Sequence, residues 1–322
     1  MPQGRALHID TPLANFAVQA FQTAQEYVAP RLLPVVPVGK QSDKYYVLDR
    51  DSWLMLPSTT RRAPKTPPRR VDWKVSSDSY YADNYALANE VANEDLANAD
   101  TALMFRQRSV EFVSEMLARD YENRTATLFT TAANFATGHV TSLSGAAQWS
   151  SVSSADVEGQ VNSAHAAIRR DTGLRANTLI MDYDSYLLMT QNTRLMEKFK
   201  YTTLNGNLND SMLGSILKVQ NIVVADSIKN TAKLQAGTSV FSSTNIWGAN
   251  AILCHMAPAT TLKAMTFAAA FRWQPAGIPG PFEVYRYPHP DPGVKAEVNE
   301  VGYYQDEKVI APALGYLIGS TR

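Results

Sequence analysis

Residues Lys44 to Ser77 read KYYVLDRDSWLMLPSTTRRAPKTPPRRVDWKVSS. Two runs with strand character bracket this stretch: Lys44 to Arg50, rich in Tyr and Val, and Val71 to Ser77, where Val71, Trp73 and Val75 alternate with polar residues. The pattern predicts the two sides of a hairpin. Between them lie about twenty residues that hold Pro57, Pro64, Pro67 and Pro68 together with Arg61, Arg62, Lys65, Arg69 and Arg70. Hairpin connections usually take about two to five residues, and one this long is uncommon unless it is functional or disordered. The tip therefore reads as a partner-binding extension. Trp53 and Trp73 flank it but lie in the strand stems, so the bases lack the aromatic platforms on which nucleic-acid bases stack. A complementary protein surface is the better match, because opposite charge guides register.

Such a surface follows directly in the chain. Residues 40–74 carry nine bases and four acids, a net of plus five. Residues 78–122 carry ten acids, among them Glu90, Glu94, Asp95, Asp100, Glu111 and Glu115, against Arg106, Arg108 and Arg119, a net of minus seven. The whole chain of 322 residues has 30 Lys and Arg against 30 Asp and Glu, so its net charge of zero conceals two opposed blocks. That balance excludes a protein gripping nucleic acid through its phosphates, which needs a basic excess. An apolar fraction of 45% excludes a disordered chain. Cys254 is the single cysteine, so no internal disulfide framework or multi-cysteine zinc site is expected, and a reducing compartment fits. The first residues lack a signal-peptide core, and Val309 to Gly319 is broken by Pro312 and Gly315, far short of the ~20 residues a membrane helix needs. A soluble cytosolic product is expected.

Upstream of the hairpin, residues 14–28 show near-helical apolar spacing. Pro30, Pro34 and Pro37 then argue against a helix and for an extended arm that crosses another surface. Downstream, residues 100–131 contain neither Pro nor Gly. They place Phe105, Phe112 and Met116 on one line and Val113, Leu117, Tyr121 and Leu128 beside it, which predicts a helix of roughly 45 Å. A Gly- and Ser-rich boundary at 138–154 precedes a compact α/β unit. That unit has a helix starting near Ser154 and ending at Gly173, a buried strand at Thr178–Met181, a helix capped by Asp182, and a strand at Asn221–Ala225. From Ala251 onward the chain is mainly strand-like.

No catalytic constellation emerges. The five histidines, His8, His139, His165, His255 and His289, are scattered, and no HExxH, GxSxG or phosphate-loop pattern occurs. Cys254 and His255 would point to opposite faces of a strand, which argues against a thiolate-imidazole dyad. Asp182 and Asp184 could bind a cation, but helix capping accounts for Asp182 and Ser185 without one. His289 and Asp291 fit a rigid Pro-flanked turn. No catalytic, cofactor or metal residue is assigned.

The order of features resembles the major capsid proteins of tailed bacteriophages, which have the Hong Kong 97-like fold. The resemblance lies in KYYVLDRDSWL, RRAP, YALANEVANEDLANAD and the long helix beginning near Thr101. It continues in GLRANTLIMDYDSYLLM, NTRLMEKFKYT, VQNIVVADSIKNTA, NIWGANAILCHMAP and VNEVGYYQDEKVIAPALGYLI, and so covers nearly the whole chain. It implies an α+β shell subunit with an N-terminal arm (1–38), an extended β-hairpin loop (39–80) and a peripheral domain with a spine helix (81–149). An α/β axial domain (150–258) and strands returning to the peripheral domain (259–322) complete it. Copies would form pentamers and hexamers, with the basic loop residues Arg61, Arg62, Lys65, Arg69 and Arg70 reaching the neighbour's acidic region, and then an icosahedral shell around double-stranded DNA. The DNA would be touched non-specifically at the inner wall. A portal is an implied partner. Because the arm begins almost at once, any scaffold is expected to be a separate protein or absent, and separate cement proteins are possible partners. The rivals are an encapsulin-like nanocompartment shell and, in a different class, a cytosolic α/β enzyme using Asp182, Asp184 or His255.

Overall fold

The computed structural model describes residues 8–9, 27–48, 54–98, 102–199, 210–232, 242–257, 265–275 and 282–322. In chain order the strands are β1 (His8–Ile9), β2 (Val35–Val38), β3 (Ser42–Leu48), β4 (Val75–Tyr81), β5 (Asp83–Ala92), β6 (Val140–Ser142), β7 (Thr178–Asp182), β8 (Asn221–Ala225), β9 (Ile228–Asn230), β10 (Ser243–Asn245), β11 (Asn250–Cys254), β12 (Ala268–Trp273), β13 (Glu283–Pro288), β14 (Ala296–Val309) and β15 (Gly315–Gly319). The helices are α1 (Ala29–Leu32), α2 (Asn93–Asn98), α3 (Ala102–Thr130), α4 (Val157–Thr172), α5 (Tyr183–Thr190), α6 (Thr193–Phe199) and α7 (Asp210–Leu217).

β14 is the axis of the first sheet. Its 14 residues span ~46 Å. β5 runs antiparallel along one edge, from Asp83 opposite Gln305 to Ala92 opposite Ala296. A strand has only two edges, so β13 (opposite Glu297–Gly302) and β12 (opposite Tyr304–Val309) share the other. β1 adds to β13, and β2 adds to β12 in parallel. The second sheet has the order β6-β15-β11-β7-β8. β7, buried at all five residues, has neighbours on both edges. Such double burial is why TLIMD reads as a continuous apolar run rather than an alternation.

α3 joins the two layers. Val110, Val113, Leu117 and Ala118 pack with Phe282, Val284, Val301 and Tyr303 over the first sheet. One turn further on, Tyr121, Ala126 and Phe129 belong instead to the larger core around β7, β11, β15 and α4. A 29-residue helix of ~43 Å can serve both cores because no Pro or Gly interrupts its hydrogen-bond ladder.

Several expectations shift in the structure. The hairpin forms, but its second strand is Val75–Tyr81 rather than residues 71–77. Val71 and Trp73 lie outside the ladder and are exposed. The register is set instead at the root, where Tyr80 stacks on Phe271 at 4.9 Å. Residues 29–32 form one helical turn despite Pro30, because proline is tolerated in a first turn, where its missing N–H has no intrahelical partner. Ala29, Leu32 and Leu33 are buried in the chain's own core, so this part of the arm does not cross a foreign surface. Pro37 lies in β2, at the end of the strand order, where a missing donor is tolerated. The helix expected at residues 14–28 lies outside the described residues apart from Tyr27 and Val28, which are buried.

α4 starts after Asp156, whose side chain accepts from the Gly159 N–H at 3.2 Å, and not at Ser154; it ends at Gly173 with φ 75°. Sheet membership also crosses the expected boundaries near 149/150 and 258/259. β6 and β15 pair with each other, and β15 pairs with β11, so both belong to the second sheet. Pro312 lies in a short 3-10 turn that separates β14 from β15 and lets the chain change sheets. Gly315 is required at that crossing, because a Cβ there would stand 2.4 Å from the Phe267 ring.

Candidate functional site

The loop is seated on β12 and β14. Tyr45 donates to Asp78 at 2.8 Å, and Lys308 approaches the same carboxylate at 3.1 Å. Together these bonds hold the Asp78 carboxyl below the usual range, the Tyr45 bond contributing most. The Tyr81 N–H donates to Asp306 at 3.0 Å, and the Phe271 ring lies 5.1 Å from Tyr45 as well as against Tyr80. At the joint, Ala82 exchanges bonds with Gln41: its N–H donates to the Gln41 carbonyl, and Gln41 Nε2 donates back. β4 thus meets β5, the strand that enters the first sheet, across the single residue Ala82.

Beyond the root the loop is held by its own short-range bonds. Thr66 donates through N and Oγ1 to the Ala63 carbonyl, Arg62 donates to the Thr66 carbonyl, and Lys65 sits in the left-handed region at φ 61°. Arg69 reaches Ser58 Oγ at 2.6 Å. This tight turn projects Arg61, Arg62, Lys65, Arg69 and Arg70, all five exposed. Leu54, Met55, Leu56, Val71 and Trp73 are exposed alongside them, Leu56 at 90%.

The acidic candidates are spread over three elements. Glu90 lies on β5, 3.4 Å from His289; Glu94 and Asp95 open α2; Glu111 and Glu115 are on α3, with Glu115 in an i,i+4 pair with Arg119. Asp100 falls outside the described residues. Much of the acidic excess is thus used within the chain. Asp78 is taken by the loop root, Asp120 pairs with Arg124, and Glu122 is fully buried. Glu94, Asp95 and Glu111 make no ion pair among the described residues.

Two clamps that composition does not reveal fix α3 to β14. Arg106 makes a two-bond fork to Glu297 at 2.8 and 3.0 Å. Arg124 bonds Glu307 at 3.0 Å and the Tyr303 hydroxyl at 2.9 Å, with its guanidinium 3.4 Å over the Tyr85 ring. Burial opposes the Arg124 charge, but Tyr303 and Glu307 outweigh it and hold the cation firmly protonated. The signal was present in the spacing. Eighteen residues make five helical turns, which places the two arginines on one face, and an even separation places Glu297 and Glu307 on one face of the strand.

Glu122 is a node of a different kind. Its Oε2 accepts from the Ala29 N–H at 2.7 Å, and its Oε1 from Trp247 Nε1 at 2.6 Å and Ser227 Oγ at 3.3 Å. One buried carboxylate thereby ties the arm, the spine helix and the second layer together. Burial raises its pKa, and the donated bonds only partly offset that rise.

The remaining candidates have structural partners. Cys254 is fully buried and its thiol is pushed up by that burial, while His255 bonds the Arg175 carbonyl at 2.8 Å. Asp182 stands at the N-cap of α5 without capping it. Its Oδ2 pairs with Arg322 at 2.9 Å, and Asn245 lies between it and Asp184, which Arg322 also bonds. A guanidinium thus occupies the position open to a cation between the two carboxylates. Ser185, expected to share in the capping, bonds Thr321 Oγ1 at 2.7 Å instead. His289 Nδ1 accepts from the Asp291 N–H at 3.1 Å, as a surface turn requires. Among the described residues no group of three or more His, Cys, Asp or Glu could hold a metal ion, and no helix is long and apolar enough to cross a membrane.

No family model matches the chain. It is 26% identical over 249 residues to the major capsid protein of Burkholderia phage BcepMu, covering 77% of this chain and 76% of that one. It is 24% identical over 272 residues to the major capsid protein of Pseudomonas phage JBD67, covering 82% and 83%. A phage-related protein from Bordetella bronchiseptica RB50 superimposes with a TM-score of 0.74 at 23% identity, over 98% of this chain and 99% of its own. The mature capsid of bacteriophage PhiM1 (TM-score 0.56, 12% identity, 89% and 84% covered) shares the fold. So does the SrpI encapsulin of Synechococcus elongatus PCC 7942 (0.55, 11%, 93% and 89%). In sequence the chain is similar to phage major capsid proteins, and it carries the Hong Kong 97-like fold.

Proposed function

We propose that the chain is the major capsid protein of a tailed bacteriophage, a structural component of the virion whose copies assemble into pentamers and hexamers and close an icosahedral head around double-stranded DNA. The observation that carries this reading is the likeness to two phage major capsid proteins over about four-fifths of the chain. The rigidly rooted loop supplies the means. Its basic, apolar tip would lie on the acidic region of the next copy, a head-to-tail contact that closes into rings. Exposed ion pairs there contribute only ~0.2–1 kcal/mol each, whereas burying one large apolar side chain contributes about 1.5–3 kcal/mol. Leu54, Met55, Leu56, Val71 and Trp73 therefore supply most of the association energy, and the arginines set register. In this reading residues 1–38 act as the arm, 39–80 as the loop, and 150–258 with β15 as the axial unit. A portal, and any scaffolding or cement proteins, are separate partners, and the neutral chain holds DNA loosely enough for packing and release.

The encapsulin likeness supports a second reading, a shell around protein cargo, because the fold serves both kinds of container. Neighbouring portal and terminase genes would favour the phage reading; a cargo enzyme retained in purified shells would favour the other. The direct test is to express the chain, purify it and image it. Closed shells are expected, and persistent monomers in the presence of phage head proteins would refute both container readings.

A further inference from the structure

Residues 319–322 run across separate segments of the second layer and are bonded to each. The Leu143 N–H donates to the Gly319 carbonyl at 2.9 Å, Gln148 Nε2 to the Ser320 carbonyl at 3.2 Å and the Trp149 N–H to the Thr321 carbonyl at 2.6 Å. The stretch ahead of α4 therefore hangs on these residues. The Thr321 N–H donates to the Ala249 carbonyl at 3.0 Å, and the buried Thr321 hydroxyl meets Ser185 of α5 at 2.7 Å. Ser320 holds φ 56°, in the left-handed region that a residue other than glycine adopts at a cost. Such a conformation persists only where the surroundings over-determine it. Gly319, paired with Asn250 in the sheet, anchors one side.

Arg322 anchors the other. Its Nη2 lies 2.9 Å from Asp182 Oδ2 and its Nη1 bonds Asp184 Oδ2, while Asn245 Nδ2 donates to the same two oxygens at 3.3 and 3.1 Å. Two carboxylates presented side by side match the planar fork of a guanidinium, which the single point charge of an ammonium does not. Three features of Asp182 point to a cation as its intended partner. Its side chain has no exposed surface, and a carboxylate is costly to bury without a counter-charge. It stands at the N-cap of α5, where Asp commonly accepts a backbone N–H, yet it makes no capping bond and turns Oδ2 to Arg322 instead. Its Oδ1 has no hydrogen-bond partner, so the charge rests on what Oδ2 receives.

We propose that Asp182, Asp184 and Asn245 form a guanidinium-binding seat, and that Arg322, by filling it, draws residues 320–322 down as a strap that closes the second layer. With the seat filled, the Trp149 segment is held against the end of β15. With it empty, a buried carboxylate faces a second carboxylate and the strap lets go. The seat is open on one side, Asp184 being 45% and Arg322 33% exposed, so a guanidinium from solution can enter once the Arg322 side chain is removed. The strap operates within one copy and does not depend on the shell reading.

Amide hydrogen exchange of the full-length chain, read by mass spectrometry over residues 143–151 and 316–322, tests it. Arg322→Ala should speed exchange at the Trp149 and Thr321 N–H groups roughly tenfold, and Arg322→Lys should fall between it and wild type. Guanidinium chloride at about 50 mM, far below the molar range in which it unfolds proteins, should restore most of the protection to Arg322→Ala, and the same concentration of sodium chloride should not. Combining Asp182→Asn with Arg322→Ala removes the stranded charge, so exchange should return toward wild type and no longer respond to guanidinium. Should Arg322→Ala fail to fold, a folded double variant would support the seat and an unfolded one would overturn it. Wild-type protection in Arg322→Ala, a loss that guanidinium does not repair, or a loss that sodium chloride repairs equally well would also overturn the proposal.

Discussion

Glu122 and Arg124 lie two residues apart on α3 and handle burial in opposite ways. Arg124 is matched by Glu307, Asp120 and Tyr303, so removing the cation strands a buried carboxylate. Arg124→Met should cost about 3 kcal/mol of unfolding free energy in urea, the range for breaking a buried pair, and adding Glu307→Gln should recover more than half of it. Glu122 is held by neutral donors, and burial raises its pKa. The folded chain therefore holds that proton more tightly than the unfolded chain. Glu122 contributes most when protonated, and its contribution is lost as pH rises through the raised folded value. Relative to Glu122→Gln, wild type should lose stability as pH rises above the ordinary carboxylate range. A gap between the two urea midpoints that stays constant over that rise would show that ionisation of Glu122 is not linked to folding. The role of Glu122 was not legible in the sequence, where it counted only as a charge, whereas that of Arg124 was written only in its spacing from Arg106.

At the scale of elements, the sequence made the long helix plain, because thirty residues without Pro or Gly leave little else to form, and α3 covers all but its ends. It did not show which apolar line of that helix faces inward. Val113, Leu117 and Tyr121 are in the cores, while Phe105, Phe112 and Met116 face out, a choice made by β13 and β14 some 170 residues later. The hairpin was legible from its Pro- and Arg-rich tip, but its register was not, since Phe271 fixes it from another part of the chain. The loop's charges carry their own prediction. Arg61→Glu, Arg62→Glu, Arg69→Glu and Arg70→Glu together should impair shell formation while leaving the monomer's circular dichroism unchanged, because all four side chains are exposed. Wild-type shell yield in low salt, where screening is weakest, would remove the electrostatic part of the account.

At the scale of the whole molecule, the net charge of zero resolves into a basic loop and an acidic region whose surplus is smaller than the sequence suggests. Counting cannot distinguish Glu111, which makes no ion pair among the described residues, from Glu115, Asp120 and Glu122, which have partners inside the chain. The chain's polar groups thus divide in two: those that hold α3 to β14 and to the arm within a copy, and those left exposed on the loop and the outer face of α3. Cryo-electron microscopy of particles formed by the purified full-length chain measures that division most directly. The account predicts closed shells of pentamers and hexamers in which the tip at residues 54–74 of each copy lies across α3 of its neighbour. Shells in which the tip touches no neighbouring chain, or a chain that stays monomeric even alongside phage head proteins, would contradict it.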